Sequence, residues 1–454
     1  MVQRLSDSRS RRAARLVQRA RKWRWRTEDG PEPPHVPARA LVIDTTMPCP
    51  GRDAGSHAAL SHMASLRRLG FDILFAPADM RDGPGAAALD EIGVARATEP
   101  WCASVEEVMR REGPEFALVY VHRYEPAIHY VAMARHYMPH ARRIYAVADL
   151  HGLRLARQGH IEERPDLVAH AKFVHQLEVT AAAGCHAVIT HSPIEFATLH
   201  KALPQGRVEV APWHVPVRPT PPSFDERFGI AFVGSFAHAP NLDAALYLRD
   251  DVLPLVWASA PEIVCTLAGT GMPQTLTEPH DPRFRAIGRV EALSDLLGHV
   301  RLTVAPLAYG AGLQGKVADS LAMGVPCVCT PVAAEGFDLP PVLQSLMAPD
   351  AAGLAASIVR LHRDPGLFAT CRAAGLAYVS AAFNEAVVDA GLRRAIGMPP
   401  MTEASTPTKS MTVVGPYLTG NTYAVFRGPE RCATVSTSSP PCRAPRPRSA
   451  YADC

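Results

Sequence analysis

The stretch Arg301–Gly336, RLTVAPLAYGAGLQGKVADSLAMGVPCVCTPVAAEG, gathers the residue types that could hold a charged ligand. Gly310, Gly312 and Gly315 free the backbone to turn tightly and approach a ligand, with Leu313 and Gln314 completing the loop. Lys316 to Met323 reads as a helix that Gly324 ends. A helix N-terminus reached through glycines offers unpaired N–H groups and the positive end of the helix dipole, which together suit an anion. Lys316 adds a cation in the first turn, where the dipole disfavours it unless an anion is near. Asp319, one turn further on, shares a face with Lys316 and can accept hydrogen bonds from vicinal hydroxyls. A phosphate-plus-sugar ligand is the chemistry this suggests; the alternative for both side chains is a solvated helix face.

Further candidates fall at the ends of strand-like runs. Arg52, Asp53, Gly55 and Ser56 follow ALVIDTT, Asp149 and His151 close ARRIYAVADLHG, and Gly234, Ser235 and His238 follow GIAFV. Open parallel sheets bind ligands beyond the carboxyl ends of their strands. Gly55 and Ser56 at a helix start could offer N–H groups, while Arg52 with Asp53 is either a substrate contact or an ion pair holding the turn. His151 could hydrogen-bond a sugar or an acceptor with Asp149 setting its tautomer, or be a satisfied loop histidine. Ser235 could donate to phosphate, and His238 is either a ligand there or part of a turn ahead of a helix capped by Asn241. His122 and His191 also lie near strand ends, but among 19 histidines such placement is expected by chance, and no spacing makes a metal site.

The elements that must position these residues alternate between short apolar runs and amphipathic helices. RLTVAPL and VPCVCTP, closed by Pro306 and Pro331, suit strands buried on both faces of a parallel sheet. At 454 residues the chain is long enough for two or three domains at about 150 residues each. The pattern predicts an α/β protein of two Rossmann-like doubly wound domains facing a cleft, spanning 38–215 and 229–398 with a linker at 216–228. Residues 1–37 form an arginine-rich arm and proline-rich linker, and 399–454 a tail whose composition predicts disorder. The arm is either solvated or, through residues 1–26, an amphipathic contact with an anionic membrane. Net charge of +3 calls for no nucleic-acid partner. Ten scattered cysteines without paired ligand spacing favour reduced thiols and a cytoplasmic location. No run of about 18 apolar residues is present, so no transmembrane helix is expected.

Arg301–Gly336, with GSFAHAPNLDA at Gly234–Ala244 and PGRDAGS at Pro50–Ser56, resembles the retaining GT-B glycosyltransferases of the family 4 type, particularly a bacterial subgroup associated with surface polysaccharide assembly. The resemblance runs from about residue 38 to 395 and is strongest in the second domain. It implies a nucleotide-sugar donor, a co-substrate rather than a cofactor, held mainly by the second domain, and a glycan or lipid-linked acceptor approached by the first. It also implies retention and no obligatory metal. Lys316 matches the family's diphosphate-binding lysine, helped by N–H groups of Gly312–Gly315. Asp319 matches a position where relatives have a glutamate that hydrogen-bonds the ribose, and is one methylene shorter. Eight residues upstream, where many relatives carry another glutamate beside the donor sugar, this chain has Ala311. No residue is a convincing covalent nucleophile, so the resemblance implies front-face displacement, with the leaving diphosphate taking the acceptor's proton. Two other readings stay open: a nucleotide-sugar epimerase of similar fold, and a non-catalytic protein that binds nucleotide-sugar or glycan.

Overall fold

Strand burial alternates between two faces in the first half of the chain, and each face acquires its own layer of helices. The computed structural model describes residues 38–278 and 281–399; the arm, the tail beyond Pro399 and the membrane contact expected of residues 1–26 lie outside the described residues. The first sheet contains β1 (Ala38–Asp44), β2 (Phe71–Pro77), β3 (Ala95–Arg96), β4 (Phe116–His122), β5 (Arg142–Val147), β6 (Ala187–Thr190) and β7 (Val208–Val210). All are parallel, in the order β3-β2-β1-β4-β5-β6-β7. The second sheet, order β10-β9-β8-β11-β12, is parallel throughout and contains β8 (Ile230–Val233), β9 (Cys265–Ala268), β10 (Phe284–Gly288), β11 (Leu302–Ala305) and β12 (Cys327–Cys329). Both orders reverse direction beside their first strand, between β1 and β4 and between β8 and β11. These switch points are where doubly wound sheets leave a crevice.

The principal helices are α1 (Ala54–Arg68), α2 (Tyr124–Tyr137), α3 (His151–Ile161), α4 (Pro165–Ala183), α5 (Pro193–Ala202), α6 (Ala239–Tyr247), α7 (Gly315–Ala322), α8 (Pro365–Ala382) and α9 (Glu385–Ile396). Leu41, Ile43, Val119, Val121, Tyr145 and Val147 point to the layer that includes α2 and the end of α4. Their neighbours Ala40, Val42, Leu118, Tyr120 and Ile144 point the other way, onto Met63 and Leu66 of α1 and Val388, Leu392 and Ala395 of α9. This period of two is what burial on both faces requires.

Helix α8 packs Phe368, Cys371 and Val379 into the second lobe, after which the chain returns and α9 completes the first. Within 365–396 an 18-residue window reaches a mean hydropathy of 1.3, enough by length and composition to cross a membrane although it is no uninterrupted apolar run; here α8 and α9 put their apolar residues into the cores of the two lobes. One expectation is corrected, that for Asn241. It does not cap its helix: α6 begins at Ala239 with His238 in the N-cap position, and Asn241 lies inside the first turn. Beyond α6 the helix continues through a π-turn at Leu248–Val252 into Leu253–Ser259.

Because α9 supplies the first lobe's outer layer, Leu392→Ala should destabilise that lobe by about 2–5 kcal/mol. The midpoint of urea unfolding followed by far-UV circular dichroism measures this, and an unmoved midpoint would contradict the packing.

Candidate functional site

At the second lobe's switch point, the loop after β11 is pressed against the first lobe. Gly312 has φ +70°, and a Cβ there would lie 2.9 Å from the Ala148 carbonyl oxygen; at Gly315 it would lie 2.7 Å from Ala54 Cβ. Only glycine permits that backbone and that approach. Leu313 anchors the loop in the second lobe's core, and the Gln314 amide donates to Ala311 O at 3.2 Å. Gln314 is the N-cap of α7 but makes no side-chain cap bond, so no side chain closes the first-turn N–H groups.

Lys316 does not extend into open solvent. Its Nζ donates to Asn241 Oδ1 and lies 5.0 Å from the Phe232 ring centroid, and burial lowers its pKa to about 8. Asn241 in turn donates to Ser235 O at 2.9 Å, which ties the loop after β8 to α7. Gly234 continues that loop's pairing by donating to Ala268 O at 3.1 Å. Ser235 Oγ lies 3.5 Å from Thr270 Oγ1. Burial, then the nearby charge of Arg154, lowers the His238 pKa to about 4, leaving a neutral imidazole at pH 7. Burial raises the Asp319 carboxyl, with His57 of α1 opposing. Tyr309 braces the loop by donating to Asp243 Oδ2 at 2.6 Å.

The facing loops of the first lobe fall into two clusters. In one, buried Asp44 pairs with His122 Nδ1 at 2.9 Å and with Arg123 Nε at 3.0 Å. Arg123 also reaches Asp53 at 2.7 Å, and Arg52 binds the other oxygen of Asp53 at 2.9 Å. Burial disfavours charge on Asp53, but the arginines outweigh it and hold the carboxyl well below its ordinary range. Asp53 accepts the Ser56 N–H at 2.7 Å, so that N–H is spent on the cap of α1, and a Cβ at Gly55 would meet the Arg123 guanidinium at 2.5 Å. Arg52, Asp53, Gly55 and Ser56 thus form a closed knot around Arg123, a residue the sequence reading passed over although it directly follows strand FALVYVH.

The second cluster sits at the start of α3, opposite Gly312. Asp149 Oδ1 lies 3.1 Å from His151 Nε2, and Asp149 Oδ2 accepts from Arg154 Nε at 2.8 Å. Burial works against the Asp149 charge, yet His151 and Arg154 hold its carboxyl below the usual range; burial likewise works against a charged His151, and Asp149 outweighs it and raises the His151 pKa. The backbone beneath is fixed by two buried glutamates. Glu178 accepts the N–H groups of His151 at 2.7 Å and Gly152 at 3.2 Å; Glu195 accepts the Leu150 N–H and the Thr190 hydroxyl, each at 2.7 Å. One turn past Arg154, Arg157 crosses to the second lobe, donating to Gly310 O at 2.7 Å and Glu335 Oε1 at 2.8 Å. Arg154 carried a sequence signal, being one turn from His151. Arg157 with Glu335, and Glu178 with Glu195, carried none, because each pairing depends on tertiary proximity.

His191 is buried and bonds Ala211 O at 2.7 Å. Among the described residues no group of three or more His, Cys, Asp or Glu side chains is placed to hold a metal ion.

Structure comparison decides the architecture. HepE from Anabaena, solved with UDP-glucose, aligns at a TM-score of 0.61 with 14% identity, over 79% of this chain and 99% of that one. The fold is GT-B. A glycosyltransferase from Rickettsia africae aligns at a TM-score of 0.52 with 12% identity, over 79% of this chain and 98% of that one. The Thermobaculum terrenum O-GlcNAc transferase does so at 0.50 with 14% identity, over 81% of this chain and 68% of that one. By sequence, residues 227–364 match the family model described as Glycosyl transferases group 1, a span that holds the β8 loop, the glycine loop and α7. No curated protein matches the chain.

Burial raises the pKa of Glu178 to about 7 and of Glu195 to about 8. A carboxyl whose folded pKa lies above its unfolded value contributes stability that is complete at low pH and lost as pH rises through the folded pKa. The Tm of the double variant Glu178→Gln/Glu195→Gln, which has no carboxyl to ionise at these positions, should therefore fall less than that of wild type between about pH 4 and about pH 8. Parallel Tm profiles from differential scanning fluorimetry would contradict the assignment.

Proposed function

We propose that the protein is a glycosyltransferase that moves a sugar from a nucleotide-sugar donor to a glycan or lipid-linked acceptor, with retention and without a metal. The observation that carries this reading is the juxtaposition of an uncapped helix N-terminus, reached through glycines, with the Asp149–His151 pair on the facing lobe. The family match over 227–364 lends it support, and HepE's complex with UDP-glucose makes UDP-sugars the first donors to try.

In this reading the donor diphosphate lies against the first-turn N–H groups of α7, with Lys316, Ser235 and His238 around it, and Asp319 accepts from the ribose. His151, oriented by Asp149, faces the transferred sugar. The bond between the anomeric carbon and the β-phosphate oxygen breaks, and its electron pair leaves with the nucleoside diphosphate. The acceptor hydroxyl forms the new bond on the same face and passes its proton to the departing diphosphate. Positive potential set in place before the reaction supplies most of the needed stabilisation. Family 4 membership, a place in surface polysaccharide or glycoconjugate synthesis and a cytoplasmic location belong to the same proposal. An epimerase would need free acid/base carboxylates in the cleft, whereas Asp149 is tied into ion pairs and Glu178 and Glu195 are tied to the backbone of α3.

A panel of nucleotide-sugars tests this by thermal shift and by release of nucleoside diphosphate. A donor at 100 times its Kd should stabilise by about 2.7 kcal/mol, and nuclear magnetic resonance of the product should show the donor's anomeric configuration. Lys316→Ala should lower kcat by about 100- to 1,000-fold. Donor binding without turnover would favour the non-catalytic reading, and unchanged binding and turnover in Lys316→Ala would remove the phosphate site.

A further inference from the structure

We propose that Arg154 is a catalytic residue contributed by the first lobe, whose guanidinium grips the departing diphosphate from the side opposite Lys316. This rests on the transferase reading and extends it, since the phosphate groups named so far all come from the second lobe.

Helix α3 brings the side chain there by construction. Its start is held against the glycine loop, because a Cβ at Gly312 would lie 3.2 Å from Asp149 Cβ. One turn beyond Arg154, Arg157 is bonded to Gly310 O at 2.7 Å in the same loop. Residues three apart share a helix face, so Arg154 is confined between two points that both touch the loop. Its Nε is spent on Asp149 Oδ2 at 2.8 Å, which fixes the plane of the guanidinium, and the side chain is only 16% exposed. Among the described residues, Nη1 and Nη2 of Arg154 make no hydrogen bond.

The other arginines of the two cleft clusters differ. Arg52 uses a terminal nitrogen on Ser56 Oγ, Arg123 uses one on Asp53, and Arg157 uses both, on Gly310 O and Glu335. A largely enclosed guanidinium with a fixed plane and two unspent nitrogens is matched to a ligand carrying paired oxygens, as a phosphate does. Asp149 faces two cations, His151 and Arg154, while Glu125 Oε1 lies 3.8 Å from His151 Nδ1 and offsets the charge of a protonated His151. Arg154 also acts on the phosphate side of the second lobe, where after burial it is the first charge depressing His238.

The chemistry assigned is charge stabilisation. As the bond from the anomeric carbon to the β-phosphate oxygen breaks, the electron pair collects on that oxygen. Arg154 donates hydrogen bonds to the diphosphate, while the acceptor's oxygen bonds the anomeric carbon and its proton passes to the diphosphate. Arg154 gives up no proton.

The test uses the full chain with Arg154→Gln and Arg154→Lys, and UDP, GDP and ADP with the corresponding monophosphates as probes in titration calorimetry. For the nucleotide that wild type binds, Arg154→Gln should weaken the diphosphate by about 10- to 100-fold and change the monophosphate far less. It should also lower kcat by about 100-fold, with Arg154→Lys recovering part of both losses. Equal weakening of mono- and diphosphate would mark a structural role and overturn the proposal, as would Arg154→Gln with wild-type affinity and turnover. A wild-type protein that binds none of the diphosphates would overturn the transferase reading itself, an outcome distinct from failure of the variants.

Discussion

The two lobes meet at a place where one of them carries no side chain. At Gly312 the backbone passes so close to Ala148 that a single Cβ would collide with its carbonyl, and the same residue needs a left-handed φ. That contact sets the distance between the N-terminus of α7 and the start of α3. Without it the unpaired N–H groups on one side and the Asp149, His151 and Arg154 cluster on the other would face solvent rather than each other. The Arg157 clasp on Gly310 and Glu335 holds the same geometry through charge-assisted bonds. Packing of the loop and pairing of the arginine therefore define one space, which is where the proposed transferase places its charged donor.

Charge inside that space is distributed with a purpose that pairing makes visible. Arg52 and Arg123 are neutralised by Asp53 and Asp44 around the start of α1, and their bonds hold a loop in place. Glu178 and Glu195 are inward-facing braces for the backbone under His151. What is left for a ligand is Lys316, held by a neutral asparagine, His238, kept uncharged by burial and neighbouring cations, and the free edge of Arg154. A half-buried lysine with no carboxylate partner and a depressed pKa is in a costly state that a bound anion would relieve.

The α/β architecture was legible because its signal is local. Apolar strand runs, helical spacing and prolines at strand ends are written in consecutive residues, and two Rossmann-like sheets follow from them. The glycine loop was legible for the same reason, and the structure brings Gly310–Lys316 and Asp149–His151 face to face. Asn241 was misread because a cap and a residue three positions inside a helix look alike in sequence; its real partners, Ser235 O and Lys316, are set by how α7 lies against the β8 loop. The N–H of Ser56 looked available until Asp53 proved to hold it. Arg157 with Glu335, 178 positions apart, and the glutamates under α3 were invisible, because no local rule links such residues.

In the proposed transferase one anion site is assembled from both lobes. A crystal structure of the protein with bound UDP would show it. The β-phosphate should lie within hydrogen-bond distance of the backbone N–H groups of Gly315 and Lys316 and of the Arg154 guanidinium at once, with Gly312 still seated on Ala148. UDP bound away from the glycine loop, or held by the second lobe alone with Arg154 turned from it, would rule out a shared site.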